Sequence, residues 1–157
     1  MRKILISACL LGEPCRYDGS SKRVSDPRIS EWEREQRLIP VCPEILGGLP
    51  VPRTPCERSS ACWDVKSASG EDFTRQFYKG GAATLALARQ HNVICCIMKE
   101  ASPSCGSNLI YDGTFSGKKN KGMGVATEYL IEAGFLVFSE NELDKAQKLV
   151  IDADSDE

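Results

Sequence analysis

The sequence predicts an α/β protein: a three-layer α/β/α sandwich built as a single domain over residues 1–157 around a mostly parallel central sheet. Short apolar runs alternate with helical patterns along the whole chain. That order implies parallel strands joined by helices that cover both faces. The runs are apolar at every position, as in "VICCIM" at 93–98, which is how strands buried on both faces read. A chain of 157 residues, 41% of them hydrophobic, suits one core rather than several.

Residues 3–8 form the first apolar run and predict a buried strand. Residues 26–36 are polar and predict a short helix, and 38–41 predict the second strand. Residues 47–69, rich in Pro, Gly and Ser, read as a long functional loop. The strongest helical pattern covers 71–90, where Phe73, Phe77, Ala82, Leu85 and Ala88 recur at helical spacing before the stop "QHN". A third strand follows at 93–98. Residues 109–124 are a loop rich in Gly and Lys with a small hairpin around "YDGTFSG". Residues 125–133 predict a helix that ends at Gly134, 135–138 a fourth strand and 142–150 a last helix. Residues 152–157, "DADSDE", read as a frayed acidic tail.

A net charge of −2 offers no broad basic field for nucleic-acid phosphates. No apolar stretch approaches the roughly 20 residues of a membrane span. The N-terminus enters a strand pattern at once and reads as part of the fold, not as a signal peptide. The expectation is a cytoplasmic protein with no nucleic-acid or membrane partner. Eight cysteines then point to metal or catalysis more than to disulfides. No Cys-x-x-Cys pair occurs and His91 is the one histidine, so zinc ribbons, thioredoxin-like sites and His-based triads lack their raw material.

Three corners concentrate the chemistry. "KILISACLLG" runs an apolar strand up to Cys9, "RLIPVCPE" one to Cys42, and "VICCIMKEASPSCG" one to Cys105. In open parallel sheets, ligands bind beyond the carboxyl ends of the strands, so separate corners can converge on one site. Pro43 lacks an N–H and forces the chain to turn after Cys42; Glu44 then stands at the corner as a candidate general base, against the plainer reading of a solvated glutamate. Ser102 and Ser104 before Cys105 are candidate hydrogen-bond donors or a proton relay, or parts of an ordinary turn. Arg16, Asp18 and Arg53 are polar residues near the expected mouth, where they could orient a small polar substrate. Thiolates suit zinc or an iron–sulfur cluster, with Cys15 as a reserve ligand; the spacing leaves both open. Cys95 and Cys96 read as core, Cys56 and Cys62 as loop thiols, His91 as a helix-terminal cation and "GKKNKGMG" as a mobile basic loop.

The blocks "ISACLLGEPCRYDG", "VCPEILGGLPVPRTPCE", "KEASPSCGSNLIYDGTFSG" and "GMGVATEYLIEAGFLVFSE", in this order over nearly the whole chain, resemble the thiouracil desulfurase family. The resemblance implies a [4Fe-4S] cluster held by Cys9, Cys42 and Cys105, with one iron open. It implies non-redox desulfuration of a thiolated nucleobase such as 2-thiouracil, a small-molecule substrate whose sulfur binds the open iron. It implies Glu44 as acid/base and Ser102 as its partner; Ser104, Asp18 and Arg53 are placed toward the substrate by the reading of the corners above. The segment "TPCERSSACWDV" carries more cysteine than the family pattern. Alternatives are a zinc- or Cys-dependent hydrolase at the same corner and a non-catalytic metal- or sulfide-carrying protein.

Overall fold

A computed structural model describes residues 1–157. The central sheet has four strands: β1 (Ile4–Ser7), β2 (Leu38–Val41), β5 (Cys95–Ile97) and β8 (Val137–Phe138), in the order β2-β1-β5-β8. Every neighbouring pair is parallel, with Ile4 opposite Leu38 on one side and Cys95 on the other. All four carboxyl ends therefore open on one edge. Pro40 is tolerated because β2 is an edge strand.

Alternation along the central strands feeds two cores. Ile4, Ile6, Cys95 and Ile97 face α1 (Pro27–Arg34) and α5 (Leu143–Ser155), with Trp32, Ala146 and Val150. Leu5, Cys96 and Met98 face α3 (Thr74–Gln90) and α4 (Val125–Glu132), with Ala88, Ala126 and Leu130. Cys95 and Cys96 are thus core residues on opposite faces. α1 starts as its sequence directs: Asp26 caps it by accepting from Arg28 N at 2.9 Å, and Pro27 fills the first position.

Three stretches differ from the sequence expectation. The long loop at 47–69 holds an antiparallel ribbon of β3 (Cys56–Arg58) and β4 (Val65–Ser67). Arg58, 1% exposed, pins this ribbon to the helices: it donates to Met123 O at 2.8 Å and Tyr78 Oη at 3.1 Å and pairs with Glu128. The acidic tail is not frayed: helix α5 runs on to Ser155, and Asp154 pairs with Arg37, itself 1% exposed. A buried guanidinium needs a carboxylate, and the tail supplies it. Third, Ala82 is exposed, and α3 turns Phe77, Gly80, Gly81, Thr84 and Ala88 inward.

The glycines of that stripe explain the choice. Helix α2 (Pro43–Leu46) crosses α3 with backbones nearly touching: a Cβ on Gly80 would lie 1.9 Å from Pro43 O. Alanine in a helix is worth about 1 kcal/mol over glycine, but displacing a backbone carbonyl costs about 1–3 kcal/mol. Gly80→Ala is therefore expected to lower stability in chemical denaturation rather than raise it. The shorter hairpin expected within 109–124 forms as β6 (Leu109–Tyr111) and β7 (Lys119–Lys121). No helix is long and apolar enough to cross a membrane.

Candidate active site

At the open edge of the sheet lies a cavity of about 450 Å³, within the size range of small-molecule sites. Cys9, Cys15, Cys42, Cys105, Glu44, Arg53, Ser102 and Ser104 all line it. β1 runs into a 3-10 turn, Ala8–Leu11, that carries Cys9. β2 runs into Cys42, which precedes α2; Pro43 opens that helix and Glu44 sits in its first turn. β5 runs into the loop that ends at Cys105. The three strand-end thiols come from chain positions 9, 42 and 105 and share one chamber.

The thiols are buried or half-buried, and all eight cysteines of the chain are free. Cys15 packs in one cluster with Cys9 and Cys42, and the Cys42 thiol donates to Cys15 O at 3.8 Å; the opposing influences of Cys42 and Cys9, with burial, push the Cys15 thiol up to about 11. Cys42 is pushed further up, by its contact with Cys15 and then by burial. Burial pushes Cys105 up to about 12, against hydrogen bonds from Ser7 and Ser104 that lower it. Without a metal these are neutral thiols, and a metal that binds them must displace their protons. No three His, Cys, Asp or Glu side chains are arranged around a single ion position.

Glu44 is held from two sides. Arg53 Nε donates to its Oε1 at 3.0 Å, and Ser104 Oγ donates to its Oε2 at 2.8 Å. Ser102 is one step removed: its Oγ lies 3.0 Å from Ser104 Oγ and accepts from the backbone N–H of Ser104 and Cys105 at 3.1 and 3.0 Å. The serine in direct contact with Glu44 is therefore Ser104, with Ser102 shaping the turn that presents Cys105. Arg53 is anchored further by Cys15 O at 2.9 Å. Asp18 does not line the cavity; its carboxylate is taken up by Ser20 N and Oγ at 2.9 and 2.5 Å. Arg16 does line it.

The loop that carries Cys105 is organised by Glu100. Its Oε1 accepts from the N–H groups of Ser107, Asn108 and Leu109 at 3.0, 3.1 and 3.2 Å, and its Oε2 from Asn108 Nδ2 at 2.9 Å. Burial acts to raise its pKa, but the donors from Asn108, Leu109 and Ser107 prevail and hold the carboxyl below its usual value. A depressed carboxyl stabilises the fold at pH above its unfolded value, and that stability is lost as pH falls through the folded one. Glu100→Gln is expected to lower Tm by about 4 °C at pH 7, with the gap to wild type closing in acid. Thermal melts at pH 7 and pH 3 check this. Behind the same loop, a Cβ on Gly124 would lie 2.3 Å from the Ser104 carbonyl carbon, so the start of α4 fixes Cys105 by contact.

Several lining residues escaped the sequence reading: Ser7, Tyr17, Cys56, Glu57, Lys99, Tyr111 and Phe115. Cys56 faces the cavity from β3, and burial, then Glu44, push its thiol up to about 11. Its signal was the extra cysteine in "TPCERSSACWDV", but nothing local tells which of Cys56 and Cys62 turns inward. Cys62 is exposed.

Comparison with known proteins agrees with this architecture. A model of the 2-thiouracil desulfurase family matches residues 4–142. The Uncharacterized protein YbbK of Bacillus subtilis (strain 168) is 45% identical over 148 residues, covering 89% of this chain and 97% of that protein. The solved structure of the [4Fe-4S]-dependent thiouracil desulfidase TudS superposes with a TM-score of 0.92 at 41% identity, over 96% of this chain and 99% of that one. With its whole central sheet, its strand-end corners and its cavity inside the matched span, the chain belongs to the 2-thiouracil desulfurase family.

Proposed function

We propose that this protein hydrolyses the carbon–sulfur bond of a small thiolated nucleobase of the 2-thiouracil class, giving the oxo base and sulfide. The observation that carries the reading is the convergence of Cys9, Cys42 and Cys105 on one cavity beside a doubly held Glu44. The donor set fits a [4Fe-4S] cluster. It consists of thiols from three strand ends with no imidazole among them, and soft thiolates are the ligands such clusters take. Cys9, Cys42 and Cys105 would hold the cluster, with Cys15 lying against two of them. When bound, the cluster supplies a Lewis-acidic iron with affinity for sulfur.

The chain's own residues do the rest. The oxygen of a water replaces sulfur at the carbon, so both protons of that water must leave it, sulfur departs as hydrogen sulfide that carries them, and no net electrons move. Glu44 is the group for those protons: its Oε2 already hydrogen-bonds Ser104 Oγ, and Arg53 at Oε1 fixes the plane of the carboxylate. Ser104 and Ser102, 3.0 Å apart, extend the path along which the protons reach the departing sulfide. A cysteine-nucleophile hydrolase at the same corner would turn over 2-thiouracil without iron, and the metal-free protein tests that. A sulfide carrier would bind sulfide at the same thiols without converting the base. Eight free thiols suit a cytoplasmic location.

Anaerobically reconstituted protein is expected to convert 2-thiouracil to uracil with equal release of sulfide. Cluster-loaded protein that binds sulfide yet leaves 2-thiouracil intact would overturn the enzymatic reading and favour the carrier.

A further inference from the structure

The tip of the β6–β7 hairpin carries a residue with no part in the chemistry above. Gly113 and Phe115 both sit at positive φ, 92° and 56°. Glycine adopts this conformation freely, but a phenylalanine there must be held. Glu57 holds it: its Oε1 accepts from Gly113 N at 3.0 Å and from Phe115 N at 3.1 Å. The tip also rests on the β3–β4 ribbon, where a Cβ on Gly113 would lie 2.9 Å from Ser59 Cα. Glu57 is itself fixed, because the next residue, Arg58, locks the ribbon to Met123 and Tyr78. The outcome is that Phe115, half-buried, lines the same cavity as Glu44 and Cys105. A strained residue kept at a ligand cavity by a dedicated carboxylate is worth a functional hypothesis.

We propose that Phe115, held at the cavity by Glu57, is a wall on which a flat heterocycle stacks, and that this pair makes the site prefer planar thiolated rings to puckered ones. The inference rests on the function proposed above. Every nucleobase has a π-face, and its stacking on an aromatic side chain is sequence-tolerant. Phe115 is here the specificity residue and Glu57 the positioning residue that acts through it.

The test compares 2-thiouracil with 5,6-dihydro-2-thiouracil, which presents the same thiocarbonyl on a puckered ring, using cluster-loaded enzyme. Phe115→Leu is expected to raise KM for 2-thiouracil about tenfold with kcat within about twofold. The planar-to-puckered ratio of kcat/KM should fall by the same tenfold, and Phe115→Tyr should keep both values. Glu57→Ala, which frees both N–H groups, should match Phe115→Leu, and the double variant should be no worse than either single one. Glu57→Gln retains an accepting oxygen and should restore wild-type KM. Unchanged KM and ratio in Phe115→Leu, or additive losses in the double variant, would overturn the proposal. Wild-type enzyme that fails to convert 2-thiouracil would overturn the parent reading instead. Calorimetry of 2-thiouracil binding would then judge the wall alone: about tenfold weaker binding to Phe115→Leu supports it, and equal binding refutes it.

Discussion

Glu44→Gln is expected to cut turnover of 2-thiouracil by about 10²–10⁴-fold, the usual worth of a positioned acid/base, while the cluster stays bound. Glutamine keeps the size of the side chain and an oxygen for Ser104 Oγ, so the hydrogen bond at 2.8 Å survives in kind. What it loses is the ability to take a proton from water, together with the charge that pairs with Arg53. The readout is a rate measured at matched iron content, with the visible absorbance of the cluster as the internal control. Intact activity in this variant would remove Glu44 from the chemistry. Ser104→Ala should show a smaller loss than Glu44→Gln, because Arg53 still holds the carboxylate at 3.0 Å.

Cys42→Ala is expected to abolish cluster retention, and Cys9→Ala and Cys105→Ala to do the same, each leaving the chain folded. Cys42 is the thiol between β2 and α2, with the chain on either side fixed by strand pairing and by Pro43. Cys62→Ser, at an exposed position, should keep full iron. Cys15→Ala is the discriminating variant, since Cys15 packs in one cluster with Cys9 and Cys42. It should keep the cluster; loss of iron here with retention in Cys9→Ala would move the ligand role from Cys9 to Cys15.

The parts of the fold set by local pattern were legible in the sequence. The apolar run before Cys9 gave a strand because a parallel strand buried on both faces needs apolar residues on both, and the run before Cys42 gave an edge strand that Pro43 can only end. The convergence of these corners followed from the parallel order alone. Partnerships made across long chain separations were not legible. Ser104, not Ser102, meets Glu44, and the two are 60 residues apart; either serine of "SPS" fits that role until the turn is folded. Asp18 was drawn to the mouth by its neighbours, yet Ser20 satisfies it two residues away. The acidic tail looked solvated because its partner Arg37 lies 117 residues from Asp154. The face of α3 was misjudged for a different reason: hydrophobic spacing favoured Ala82, but the tightest packing is made by Gly80 against Pro43 O, where the absence of a side chain is the signal. The β3–β4 ribbon was hidden because its strands have three residues each, too short for alternation to register.

In the function proposed above, thiols from separate strand ends hold one iron–sulfur core. Metal and acid-labile sulfide analysis of the chain after strictly anaerobic reconstitution tests it most directly. The expected result is about four irons and about four sulfides per chain, the content of one cubane, without zinc. One zinc per chain, or no retained iron under those conditions, would contradict it.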